Sequence, residues 1–193
     1  VTLTHPFAIL DRELVFEELI AIRPDDFRNA MLTHKQKESD AGFGLPWYHA
    51  IGFCRWLGRQ TELPELDQAY ADPESLDENR YPREQLANGQ GAPMDWPIRL
   101  DRRGFRLPLS DEWEVAARGG ARNAYSFGSD QSLLPKFAWY EGNSDLRVHE
   151  PKRLRPNLRG LFDVHGNLNE WTHDWGSSLT LDRITRGGSW NGS

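Results

Sequence analysis

The chain has 193 residues and a formal charge of −6, from 23 basic and 29 acidic side chains. That length suits one domain with a real core, and the acidic balance repels a phosphate backbone, so no nucleic-acid partner is expected. Cys54 is the sole cysteine, which excludes an internal disulfide and a cysteine metal cage. No apolar run reaches membrane-span length, so no membrane insertion is expected.

The basic runs RLRP at 153–156 and DRRGFR at 101–106 are short and read as solvated surface. The opening VTLTHPFAIL has no basic n-region and no cleavage pattern. A cytoplasmic setting is the default reading, although a disulfide-free exported protein is equally allowed. Eight Trp, twelve Pro and seventeen Gly point to irregular backbone clamped by large aromatic side chains, without long regular helices.

In chain order, residues 2–9 alternate loosely and suit a strand, with Pro6 favouring an edge. Residues 15–22 suit a short helix that Pro24 closes, and 28–44 read as a polar loop. PWYHAIGFCRWLGRQ, 46–60, is the clearest helix: Pro46 suits the first turn, and Ala50, Ile51, Cys54 and Leu57 share one face. Cys54 is thus a small core side chain, and His49 a surface or cap residue. Residues 61–104 read as a long irregular insertion pinned by Tyr70, Tyr81 and Trp96, with disorder as the competing reading for 72–92.

FRLPLSDEWEVAARGG, 105–120, predicts a short strand ended by Pro108, then a helix capped by Ser110. Asp111, Glu112 and Glu114 place negative charge in its first turns. Trp113, Ala116 and Ala117 form its apolar face, and Gly119 suits the left-handed cap. Turns and short strands follow, and Gly187–Gly188 imply a tight passage. No phosphate-binding glycine loop follows a strand.

LFDVHGNLNEWTHDW, 161–175, concentrates Asp163, His165, Glu170, His173 and Asp174 between apolar residues. Asp163 and Glu170 stand seven apart about Gly166, which lets the backbone turn and expose carbonyls. Such a set offers the hard oxygen ligands that calcium takes. The alternative is a pair of carboxylates that accept backbone N–H groups and brace the turn. A transition-metal reading would use His165, His173 and Asp174, with Glu170 and His173 sharing a helical face; no HExxH-type motif supports it. Against it, the spacing of Trp171 and Trp175 suggests a helix-like turn that faces the core with its aromatics.

Four segments together resemble the sulfatase-modifying-factor family, the formylglycine-generating-enzyme-like domain related to the C-type lectin fold. They are WYHAIGFCRWLG at 47–58, GFRLPLSDEWEVAARGG at 104–120, NLRGLFDVHGNLNEWTHDW at 157–175 and RGGSW at 186–190. The resemblance implies an α+β fold: two main helices, small antiparallel sheets and extensive loops. It implies one domain over 1–193, truncated at its C-terminus, with 61–104 inserted in it. Trp113, Trp171 and Trp190 become core pegs.

The resemblance also implies structural calcium held by the side chains of Asp163 and Glu170 and main-chain oxygens of Gly166 and Leu168. A second family calcium loop would use Asn143 and the Ser144 carbonyl; its remaining ligands have no clear counterparts here. The resembled enzyme oxidises a substrate cysteine with copper held by two cysteines that follow its GGS-aromatic motif. Here that motif reads GGSWNGS, Gly192 stands at the first cysteine position, and Cys54 lies on another element. Copper is therefore not expected. The iron-dependent relatives draw histidines from an added helical domain that is not among these residues.

Two functions of different class follow. One is a non-catalytic module of a larger bacterial protein that binds a protein or small-molecule ligand on a loop surface around Trp190 and Asn191. The other is a metal-dependent oxidoreductase of the formylglycine-generating type whose catalytic residues lie beyond this chain.

Overall fold

The computed structural model describes residues 6–22, 24–72, 75–76, 96–176 and 182–192. Its elements are α1 (Phe16–Ile20), α2 (Pro24–Thr33), α3 (Trp47–Gln60), a 3₁₀ turn (Glu65–Asp67), α4 (Ser110–Arg118), a second 3₁₀ turn (Gln131–Lys136), and strands β1 (Glu170–Trp175) and β2 (Arg183–Arg186), which pair with each other. Isolated bridges join Val15 to Ala41, Tyr70 to Ile98 and Tyr125 to Gly128. This is the expected mixed architecture, with most described backbone in turns.

The chain divides into two compact units. The first comprises Val1–Gly44, Pro108–Thr172 and Thr185–Ser193; the second comprises Leu45–Leu107 and His173–Ile184. In the first unit, Phe16, Leu19 and Ala41 are buried around α1, and Trp113, Ala117 and Val164 pack together with Leu161 against them. In the second, α3 buries Trp47, Tyr48, Ala50, Ile51, Phe53 and Cys54. Tyr70 and Trp96 are buried there too, and the Trp96 indole donates to the Ala71 carbonyl at 3.2 Å. Both are therefore anchored in the core of this unit. Tyr81 and most of 72–92 lie outside the described residues.

Several local expectations change. Pro24 opens α2 instead of closing α1, because a proline at the first helical position gives up an N–H that has no partner anyway. Phe27 and Met31, four apart, then bury one face of that helix. Neither 6–9 nor 105–108 forms a strand. Ser110 is the first residue of α4 and not its cap: its hydroxyl accepts from Arg186 Nε at 2.9 Å. The Glu112 carboxylate instead accepts the Leu109 N–H at 2.8 Å and closes the N-terminus. Gly119 takes the left-handed cap at φ 60°, as its place in the sequence predicts. Of the three expected core pegs only Trp113 is buried; Trp171 and Trp190 are half-buried.

Candidate functional site

The turn 161–170 is held from both sides in the first unit. Asn157 donates through Nδ2 to the Ala116 and Ala117 carbonyls, both at 2.8 Å. Both lie in the last turn of α4, where the Ala116 carbonyl also accepts the Gly119 N–H at 3.1 Å. Asn157 Oδ1 accepts from the Arg159 and Leu161 N–H groups at 2.9 and 3.0 Å. One side chain thus ties the helix to the chain that enters the turn. Asp163 follows with φ 58° and Asn167 with φ 65°, a backbone region that aspartate and asparagine tolerate best among side-chain-bearing residues. Gly166 has another role than the one expected. Its φ is ordinary, and a Cβ there would overlap the Trp139 carbonyl oxygen. The glycine serves close backbone approach, not a left-handed turn.

Asp163 is 2% exposed. Its Oδ2 accepts the Lys152 N–H at 2.9 Å, while Oδ1 is buried with no hydrogen-bond partner. Leaving a buried carboxylate oxygen unpaired is costly, and such an atom calls for a donor or a cation. Glu170 Oε2 accepts the Trp113 indole N–H at 2.9 Å. The missing side chain of Gly187 leaves a space beside it: a Cβ there would lie 3.5 Å from the Leu168 carbonyl oxygen and 3.8 Å from Glu170 Oε1. Among the described residues, neither the Gly166 nor the Leu168 carbonyl accepts a backbone hydrogen bond.

A third carboxylate, absent from the sequence reading, joins this region. Glu13 Oε2 accepts from Asn167 Nδ2 at 2.5 Å, and Oε1 accepts the Leu168 N–H at 2.9 Å. The electrostatics follow. Burial, then the charges of Glu170 and Asp163, push the Glu13 carboxyl well above its usual range. Burial and then the Asp163 charge push Glu170 up to about 7, opposed by the Trp113 indole. Burial raises Asp163 as well. Mutually repelling carboxylates, Asp163 buried and Glu13 and Glu170 half-buried, are the electrostatic condition that a bound cation relieves.

Among the described residues, no three His, Cys, Asp or Glu side chains stand close enough to share one metal ion. The candidate set of two side chains and two carbonyls is a different kind of site. Its donors are all oxygen, which fits calcium and not copper. The residues present therefore fit the ion that the resemblance implies, on the orphaned Asp163 oxygen and the space beside Gly187.

The remaining expected residues are placed as follows. Asn143 closes its own turn: Oδ1 accepts the Tyr140 N–H at 2.8 Å, and Nδ2 donates to the Ala138 carbonyl at 2.9 Å. The Ser144 carbonyl accepts from His149 Nε2 at 2.7 Å, and its hydroxyl donates to the Trp190 carbonyl at 2.9 Å. The Trp190 N–H donates to the Asn167 carbonyl at 2.8 Å. Asn191 is exposed, and its Oδ1 accepts the Ser189 hydroxyl at 2.7 Å. The C-terminal turn is thus pinned through its backbone and presents Asn191 outward.

His165 is a hydrogen-bonding turn residue. Its Nε2 accepts the Ser126 N–H at 3.1 Å, and burial holds its pKa below the usual value. His173 belongs to the other unit, where its Nδ1 pairs with the Tyr70 hydroxyl at 3.2 Å. Because 170–175 is a strand and not a helical turn, Glu170 and His173 point to opposite faces. Trp171 and Trp175 share a face in either geometry, which explains the misreading.

The mixed helix–loop architecture, the small sheet and the acidic turn define a formylglycine-generating-enzyme-like, C-type-lectin-related fold. The chain belongs to the sulfatase-modifying factor enzyme 1-like domain family, which matches residues 21–193. It is 26% identical to the chaperone protein LppX of Paenibacillus barcinonensis, over 76% of this chain and 57% of that protein. It is 35% identical to a formylglycine-generating enzyme of Streptomyces coelicolor, over 45% of this chain and 36% of the enzyme. The chain therefore spans about a third to just over half of these curated relatives. Among solved structures, Treponema denticola variable protein 1 superposes with a TM-score of 0.71 and 29% identity, covering 94% of this chain and 72% of that one.

Proposed function

We propose that these residues form a recognition module that has no cysteine-oxidising chemistry of its own. Structural calcium at Asp163, Gly166, Leu168 and Glu170 braces the scaffold, and the loop surface around Trp190 and Asn191 takes a protein or small-molecule ligand. The observation that carries this reading is the state of the thiol. Gly192 stands where the copper-binding motif needs its first cysteine, and the one cysteine present, Cys54, is buried in α3 with its thiol pushed up to about 12 by burial. Copper(I) chemistry of the resembled kind needs paired, accessible thiolates. A relative from Bos taurus, 35% identical over 46% of this chain and 33% of its own length, bears the name inactive C-alpha-formylglycine-generating enzyme 2, which agrees with loss of the chemistry on this scaffold. The pinned backbone of 189–192 with an outward Asn191 supports the binding role, since a rigid base reduces the ordering cost of binding.

Two measurements test the reading. The 193-residue chain, supplied with copper, oxygen and a cysteine peptide, should give no aldehyde by mass spectrometry; turnover would overturn it. Chelation should lower the melting temperature of the wild type and leave Asp163→Ala/Glu170→Ala unmoved, because an ion that binds only the native state stabilises it by mass action. Equal shifts in both proteins would remove calcium from this site.

The 35% identity to the Streptomyces enzyme favours a second reading, an oxidoreductase completed by residues beyond this chain. Turnover by a longer form of the protein, and not by these 193 residues, would establish it.

A further inference from the structure

Glu13 is far in sequence from every residue of the candidate calcium site, yet its carboxylate is committed to that site's backbone. Oε1 takes the Leu168 N–H, and Oε2 takes Asn167 Nδ2. The orientation of the Asn167 amide is not adjustable. Its Oδ1 accepts the His149 N–H at 2.9 Å, and its Nδ2 also donates to the His149 carbonyl at 3.1 Å, so the amide pairs with His149 as a second backbone would. Flipping it would set donor against donor at His149. The partner facing Asn167 Nδ2 must therefore be an acceptor, and so must the partner facing the Leu168 N–H. A carboxylate offers two acceptors in one side chain; glutamine of the same shape offers one acceptor and one donor.

Asn167 itself is fully buried, its N–H donates to the Trp139 carbonyl and its carbonyl accepts from Trp190, both at 2.8 Å. With those bonds made, Glu13 supplies the hold on the next peptide group, whose residue carries the carbonyl that faces the space beside Gly187. Each Glu13 oxygen is thus engaged by one donor of the Asn167–Leu168 segment.

We infer that Glu13 is the positioning residue of the cation site: its two carboxyl oxygens, accepting from Asn167 Nδ2 and the Leu168 N–H, fix the Asn167–Leu168 backbone so that the Leu168 carbonyl is presented to the ion. This rests on the calcium reading above. The second, independent pointer to a ligand is the buried, unpartnered Oδ1 of Asp163 on the same turn. Groups that orient a metal's direct ligands typically contribute 10- to 100-fold in affinity.

The test compares wild type, Glu13→Gln and Asp163→Ala/Glu170→Ala in the whole 193-residue chain. Calcium affinity is read by calorimetry, and terbium bound in place of calcium is read by its emission excited through tryptophan, since the Trp113 indole is hydrogen-bonded to Glu170. The expected result is tight binding by wild type, loss in the double variant, and about 10- to 100-fold weaker binding with reduced terbium emission in Glu13→Gln. Glu13→Gln binding as tightly as wild type, with the double variant silent, overturns the role of Glu13 and leaves the calcium site standing. Absence of binding by wild type overturns both. Should Glu13→Gln fail to fold, amide exchange in the wild type decides. The Leu168 N–H must be protected with and without calcium, and rapid exchange in the calcium-free protein overturns the inference.

Discussion

In the unit formed by Leu45–Leu107 and His173–Ile184, buried charge is answered from within the chain. Arg55 is 2% exposed and meets Glu65 through two parallel bonds of 3.0 and 2.9 Å, Asp72 at 2.6 Å and the Tyr70 carbonyl at 2.5 Å. Arg183 lies over Trp47 and Trp175, 3.7 and 3.8 Å from their ring centres. The other unit gathers Glu13, Asp163 and Glu170, and the charges that act on Glu13 from within that group are repulsive. A region whose charge balance is internal is indifferent to the medium. One that gathers charge of one sign has stability that depends on what the solution supplies.

The largest effect that would sharpen this contrast is Trp113→Ala. Its indole is core and also the donor to Glu170, so the substitution is expected to cost roughly 3–5 kcal/mol in denaturant melts and to weaken calcium binding as well. Trp171→Ala should cost about half as much, because that ring keeps part of its surface in water. Equal costs would mean that half-burial understates the Trp171 contribution.

Arg55→Met comes next, at roughly 2–3 kcal/mol, since it strands the Tyr70 carbonyl while the two carboxylates still reach water. The calcium-dependent shift in melting temperature should be the same in this variant as in the wild type. A changed shift would break the separation of the two charge systems.

A smaller, pH-dependent effect belongs to Cys54. Its native thiol lies near 12 against 9.0 for an ordinary one, so the native state holds the proton more tightly. That contribution is complete below about pH 9 and is lost as the pH rises towards 12. Between those limits wild type should lose more stability than Cys54→Ala, and a thiol reagent at pH 8 should label Cys54 only on unfolding. Smallest of all is Gly52→Ala. Gly52 is exposed in α3 with no atom near its absent Cβ, so alanine should add about 0.5–1 kcal/mol.

Helices α3 and α4 were legible because their signals are local: apolar spacing, a proline at the entry and a glycine at the exit. Asp163 and Glu170 were legible for the same reason, seven residues apart in one turn. What escaped the sequence depends on distance or on context. Glu13 meets Asn167 across 154 residues, and no local pattern announces that. The spacing within α3 does not single out Arg55, whose burial depends on Glu65, Asp72 and Tyr70 from later in the chain. Pro24 can close one helix or open the next, and only the burial of Phe27 and Met31 decides between them. The tryptophans at 171 and 175 fit a helical turn and a strand equally well by spacing.

The length of the Glu13–Asn167 connection also sets a timetable for biosynthesis. A ribosome adding about 5–20 residues per second needs roughly 8–30 s to pass from the first partner to the second. Throughout that interval the Glu13 carboxylate faces water, and the segment around it lacks the bonds that later secure it. The Asn167 carbonyl must then wait for Trp190, further along the chain, before its own bond closes. Assembly of the acidic turn is therefore a late event, governed by contacts of high sequence separation, which are slow to form. The segment around Glu13 is accordingly open to premature association, or to capture by folding helpers, until residues 167–168 have been made.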